Sequence, residues 1–163
     1  MKTKRSLLKI CLLGAMLLLP AVAQAQFIFT TDNGAITITG YSGDSSASLT
    51  IPAAINGFPV TGIGAGAFYD QTTLTSVSIP DSVTSIGSGA FYYCQNLASV
   101  NIPASVTNIG SAAFSYCGLT SIAIPSSIAN IPDQAFYYCG SLTNVISARN
   151  LSGLPAERKH KIV

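Results

Sequence analysis

The sequence predicts a repeat solenoid, a stack of short similar coils. Three observations predict it. A unit of 22 or 23 residues recurs at 74–96, 97–118 and 119–141 without a gap. Its apolar positions keep phase: Leu74, Leu97 and Leu119; Val77, Val100 and Ile122; Ile79, Ile102 and Ile124, each followed by proline (Pro80, Pro103, Pro125); then Val83, Val106, Ile128 and Ile86, Ile109, Ile131. Each copy also closes on Ala-Phe (Ala90-Phe91, Ala113-Phe114, Ala135-Phe136) with a cysteine three residues on. A period in this range means units too small to bury their own apolar faces, so each shelters its neighbour.

Residues 1–25 read as a secretory signal. Lys2, Lys4, Arg5 and Lys9 precede an apolar stretch, and Ala23-Gln24-Ala25 supplies a small-x-small site, with cleavage expected after Ala25. The uncharged run is short for a spanning helix and is broken by Pro20, so no membrane span is expected after cleavage. Cys11 lies inside that run, which speaks against a lipoprotein anchor.

Residues 26–48 read as an N-terminal hairpin cap and linker. Phe27, Phe29, Ile36 and Ile38 alternate with polar residues around Asn33-Gly34, the dipeptide of a tight primed turn. Residues 49–146 form the array, about four coils. Leu49, Ile51 and Pro52 open a first copy that carries five extra residues in the turn 55–59. In each copy Leu-x-x-Val-x-Ile-Pro is a short strand ended by proline. Val-x-x-Ile-Gly is a second extended segment, and the small residues before Ala-Phe make a tight corner with a short helical or irregular turn. After Val145 the expected Ile-Pro is replaced by Ser147-Ala148. Residues 147–163 are therefore expected to be a basic, disordered tail.

Charge narrows the function. The chain is formally +2, yet four of its eight basic residues lie in the leader and the other four are Arg149, Arg158, Lys159 and Lys161. Between Gln26 and Ala148 there are five aspartates and no Lys or Arg, a net −5. Such a body cannot neutralise phosphates, which excludes nucleic acid as its partner.

The string LTSVSIPDSVTSIGSGAFYYCQN at 74–96, recurring twice, resembles the BspA-like class of bacterial leucine-rich repeats. The preceding ITITGYSGDSSASLTIPAAINGFPVTGIGAGAF is similar to the segment that leads into such arrays. The resemblance covers about 36–145. It implies a β-rich, right-handed leucine-rich-repeat solenoid with parallel strands. It also implies a secreted or cell-surface protein, in a class some of whose members adhere to host or matrix proteins.

Reactive chemistry is scarce. Cys94, Cys117 and Cys139 share one phase. Export would permit disulfides, but in-register side chains run parallel and three leave one over, so a buried thiol ladder is the favoured reading. Three thiols on one line cannot surround a tetrahedral metal. The run 62–67 fits the dinucleotide fingerprint G-x-G-x-x-A only formally: no βαβ unit surrounds it and no basic residue is near. The sole histidine, His160, and sole glutamate, Glu157, sit in the tail, and the serines have no base beside them. No enzyme activity, cofactor or metal is expected.

What remains is surface. Ser76, Ser78, Ser99, Asn101 and Ser121 should face outward from the strands as a flat polar strip. Tyr69, Tyr92, Tyr93, Tyr116, Tyr137 and Tyr138 follow the phenylalanines and could present amphipathic rings to a glycan or protein, unless they merely pack on the neighbouring coil. The expected role is recognition or adhesion toward an extracellular protein or glycan. The alternative is self-association through a weakly capped C-terminal coil.

Overall fold

The computed structural model describes residues 26–43 and 47–147. The leader, the centre of the linker and the tail from 148 lie outside the described residues. Within them the chain forms a solenoid of eleven strands and no helix.

Phe27–Asp32 (β1) and Ala35–Tyr41 (β2) pair antiparallel. Asn33 (φ 48°) and Gly34 (φ 76°) turn between them, the doubly left-handed geometry of a primed turn. Two parallel ladders then run through the coils. One joins Ser48–Thr50 (β3), Ser76–Ser78 (β6) and Ser99–Asn101 (β8) in exact register, so that Leu49, Val77 and Val100 stack. It resumes as Ser121–Ile124 (β10) beside Asn144–Ser147 (β11), with Ile122 against Val145. The break falls after the shortest copy, where Thr120 N–H still reaches the Ala98 carbonyl at 3.3 Å. The strand β11 thus carries the ladder into a fifth coil despite the missing Ile-Pro.

The second ladder starts on the hairpin itself. β2 pairs parallel with Phe58–Ile63 (β5), followed by Ser85–Ile86 (β7) and Asn108–Ile109 (β9). The five-residue insertion is a second tight hairpin: Ala54–Ile55 (β4) folds back on β5 through Asn56 (φ 53°) and Gly57 (φ 83°). The ladder stops at β9 for a covalent reason. Gly64, Gly87 and Gly110 each donate their N–H to Ile38, Ile63 and Ile86 of the preceding rung at 2.7, 2.7 and 2.8 Å. The next residue in that column is Pro132, which has no N–H to give.

At the third corner no helical turn forms. Phe68, Phe91 and Phe114 donate instead to Ala90, Ala113 and Ala135 of the following coil, at 2.7, 2.8 and 2.9 Å. Each Ala-Phe is bracketed by two left-handed residues: Gly66, Gly89, Ala112 and Gln134 before it, Asp70, Tyr93, Tyr116 and Tyr138 after it. The N–H groups here alternate: those of Gly66, Phe68 and Asp70 point along the stack, while those of Ala67 and Tyr69 bond back within their own turn to Gly64 and Gly66.

The core is a set of columns. Phe68, Phe91, Phe114 and Phe136 are fully buried and stack face to face at 5.0, 5.2 and 5.7 Å, within 10° of parallel. The hairpin closes the top of this column: Tyr41 lies 5.6 Å and Phe27 6.5 Å from Phe68. Cys94, Cys117 and Cys139 form a column of free, buried thiols. Each S–H donates to the phenylalanine carbonyl one coil back, at 3.1, 3.1 and 3.0 Å. The hydrogen bond shared with Cys94, reinforced by burial, pushes the Cys117 thiol far up, and burial pushes Cys139 up.

Two neighbouring positions should respond in opposite directions. A Cβ on Gly110 would sit 2.3 Å from the Ser88 nitrogen, so Gly110→Ala should lower unfolding stability by about 1–3 kcal/mol. Ala112 holds φ 56° where earlier coils have glycine, so Ala112→Gly should raise stability by roughly 0.5–1 kcal/mol, as measured by denaturant titration. The thiols titrate with a definite sign. Folded Cys139, held neutral by burial, keeps a proton that the unfolded chain releases near 9.0. Stability should therefore hold below that pH and fall above it, and Cys139→Ser should flatten the decline. At pH 8 iodoacetamide should label these thiols only after unfolding.

Candidate functional site

The tyrosine flank grows from the corner that follows each phenylalanine. The buried Ala-Phe step fixes the backbone, and the next two residues emerge on the side of the stack. Tyr93, Tyr116 and Tyr138 emerge from left-handed backbone, with φ of 66°, 58° and 56°. That conformation costs an ordinary L-residue about 1–2 kcal/mol. Asp70 tolerates the same position more readily, as short polar side chains do. Contact between rings offsets part of the cost, at about 0.5–1.5 kcal/mol per aromatic pair.

The structure brings all six predicted tyrosines into one continuous ring network. Tyr69 stacks on Tyr92 at 5.7 Å and 3°. In the third coil Ser115 takes the inner position; it is buried and donates its hydroxyl to the Gln134 carbonyl at 2.6 Å. Tyr116 fills the space this leaves and becomes the hub, with Tyr92, Tyr93, Tyr137 and Tyr138 at 5.4, 5.6, 5.9 and 5.0 Å. Its half-buried position, and then the surrounding phenols, push its hydroxyl pKa up. Tyr138 stacks on it within 6°.

Stacking decides what the flank can offer. Interior rings use their faces on one another and show a partner mainly edges and hydroxyls. The ends differ: Tyr69 is 57% exposed and Tyr138 63%. At the C-terminal end Tyr137 and Tyr138 stand nearly perpendicular, 4.7 Å apart, and with Cys139 and Gly140 line a shallow depression of about 240 Å³. A flat or cationic group entering that corner meets one ring face and one ring edge.

The strand strip lies where the alternation placed it. Ser78, Ser99, Asn101 and Ser121 are exposed, and Ser76 is half-buried and donates to the Ser48 hydroxyl at 3.0 Å. Many other hydroxyls are already engaged. Thr84, Ser105 and Ser127 donate to carbonyls of the preceding coil at 3.2, 2.7 and 2.6 Å, so they act as inter-coil fasteners rather than free contacts. One feature of this face escaped the sequence reading. Ile146 continues the register of Ser78, Asn101 and Ala123 and is 58% exposed. The alternation of Val145 and Ile146 on β11 carried the signal, but the lost Ile-Pro obscured it. Ile28 and Phe58 are further exposed apolar residues.

Among the described residues no group of three or more His, Cys, Asp or Glu is placed to hold a metal. Nor is any helix there long and apolar enough to cross a membrane.

Known proteins place this architecture. Residues 61–157 match the BspA type leucine rich repeat region in six copies. A leucine-rich repeat protein from Bacteroides capillosus ATCC 29799 is 35% identical, with a TM-score of 0.68, covering 76% of this chain and 95% of that one. A T. pallidum leucine rich repeat protein is 28% identical with a TM-score of 0.60, covering 74% and 68%. A leucine rich cell surface protein from Faecalibacterium prausnitzii A2-165 is 33% identical with a TM-score of 0.59; the match covers 75% of this chain but 41% of that longer one. No curated protein matches. With the repeat model covering more than half its length, and solved repeat proteins sharing its stacked coils, the chain belongs to the BspA-type leucine-rich repeat family.

Proposed function

We propose that this chain is a secreted or surface-exposed, non-catalytic recognition module that engages an extracellular protein or glycan through its tyrosine flank. The observation that carries this reading is the single network of six tyrosines, four of them exposed, on a body with no Lys or Arg between 26 and 148. Tyrosine supplies large amphipathic contact area at low entropic cost and is enriched where interfaces hold their energy. The polar strand strip lacks such anchors and serves as a secondary contact surface. The leader at 1–25 and the cell-surface relative support an exported location. A role in adhesion follows from the same surface.

Binding to a glycan and matrix-protein array tests it. Tyr93→Asn with Tyr138→Asn keeps residues that tolerate the left-handed backbone while removing two exposed rings. Loss of about 2 kcal/mol per anchor, roughly 30-fold each, is expected on whatever ligand the parent chain binds. Unchanged binding with an intact circular dichroism spectrum would remove the flank from the reading. A second reading, self-association, is favoured by the exposed Ile146 on the last strand. Under it, sedimentation should show a concentration-dependent dimer that Ile146→Ser abolishes, whereas a pure recognition module stays monomeric.

A further inference from the structure

We propose that Tyr69 and Asp70, at the N-terminal end of the tyrosine flank, form a docking corner for an arginine side chain, so that the partner is an arginine-bearing segment of an extracellular protein rather than a glycan. The inference rests on the reading of the flank as a contact surface and names the chemistry that one end of it selects.

The repeat itself supplies the geometry. Asp70 occupies the phase that Tyr93, Tyr116 and Tyr138 hold in later coils, with the same left-handed backbone, φ 58° against 66°, 58° and 56°. Tyr69 correspondingly stands at the phase of Tyr92 and Tyr137. In those coils the two side chains leave the corner together: the Tyr92 and Tyr93 ring centres lie 6.2 Å apart, and those of Tyr137 and Tyr138 4.7 Å apart. The first coil therefore sets a carboxylate beside an aromatic ring where later coils set two rings. Backbone bonds hold the pair in place. Phe68 and Asp70 donate N–H groups to the Ala90 and Tyr92 carbonyls at 2.7 and 2.9 Å, and the Asp70 carbonyl accepts the Thr72 N–H at 2.9 Å.

Exposure and charge name the occupant. Tyr69 lays one face on Tyr92, has no second ring partner among the described residues and is 57% exposed, so its other face stays open. Asp70 is exposed as well, and no Lys, Arg or His occurs between residues 26 and 148 to pair with it. A planar guanidinium satisfies both groups at once: it stacks on a phenol face and offers a fork of N–H donors to a carboxylate. An ammonium makes the charge contact without the fork or the flat stack. A neutral sugar can stack on Tyr69 and donate a hydroxyl to Asp70, but it leaves the charge uncompensated. An acidic sugar is repelled by Asp70 and by the other aspartates of the body. At the opposite end of the flank Tyr138 stands where Asp70 stands here, so only the first coil carries this pairing of ring and charge.

Nuclear magnetic resonance titration of the chain from Gln26 with an end-blocked Gly-Ser-Arg-Ser-Gly peptide tests the corner. The same peptide carrying citrulline, the uncharged isostere of arginine, is the comparison. The arginine peptide should move the Tyr69 ring resonances saturably, and citrulline should weaken binding about fivefold. Asp70→Asn keeps a residue suited to the left-handed backbone and should cost a similar factor. Asp81→Asn removes an equal charge elsewhere and should leave binding unchanged within about twofold. Absence of saturable binding, or equal binding of the arginine and citrulline peptides, would overturn the proposal. So would an equal loss in the two asparagine variants, which marks diffuse charge attraction. The corner and the wider flank fail separately. Arginine-peptide binding lost in Asp70→Asn but unchanged in Tyr93→Asn with Tyr138→Asn supports the corner and removes the rest of the flank. Glycan-array binding that survives Asp70→Asn but not the paired tyrosine variant overturns the arginine corner and leaves the flank reading standing.

Discussion

Coil-to-coil hydrogen bonding at one fixed spacing is the constraint from which the rest of this protein follows. Backbone amides at all three sides of the coil point along the stack. Their partners are carbonyls of the previous rung on the two strand ladders, and of the next rung at the Ala-Phe corner. Once that spacing is set, any side chain placed at one phase meets its own counterpart. Aliphatic residues become columns, phenylalanines become a stack near 5 Å, and thiols and hydroxyls find a carbonyl one coil away. Columns of like residues suit apolar and neutral side chains and penalise like charges. This accounts for a body almost bare of ionised groups.

The same constraint fixes where the chain tolerates no Cβ. Glycine follows the isoleucine of the second ladder because the preceding coil's backbone passes too close for a side chain. It appears before Ala-Phe for another reason, the left-handed turn, and there alanine or glutamine can replace it at some strain. Two glycine columns of identical appearance in the sequence thus answer to different physics, one steric and one conformational.

Much of this was legible in the sequence, and what was missed has identifiable causes. Buried columns declare themselves because Leu, Val, Ile and Phe repeat at fixed offsets, and the Asn33-Gly34 hairpin because that dipeptide has few other uses. The tyrosine positions were legible as a stripe, but not that Tyr116 would fill the gap left by Ser115, since that depends on ring volume across coils. Hydroxyls read as free surface, whereas Thr84, Ser105 and Ser127 are tied to carbonyls more than twenty residues away. The end of the second ladder at Pro132 was written plainly in the sequence. Recognising it required knowing that the residue before it in the column is a donor. The fifth strand was obscured because two residues at 147–148 break the Ile-Pro signature while leaving the strand itself intact.

The unequal ladders give the molecule a mechanical polarity. At its N-terminal side the hairpin is antiparallel within itself, joined to β5, and seated by Phe27 and Tyr41 on the first phenylalanine, so traction there must shear several contacts at once. The coil of Pro132 lacks the glycine-borne bond to the coil before it, although its first strand is still paired with the next along the β10–β11 seam. Traction from that side peels one rung at a time. Pulled by its two ends, the rod yields first at the rung beside Tyr138, and it does so with the upper coils still intact.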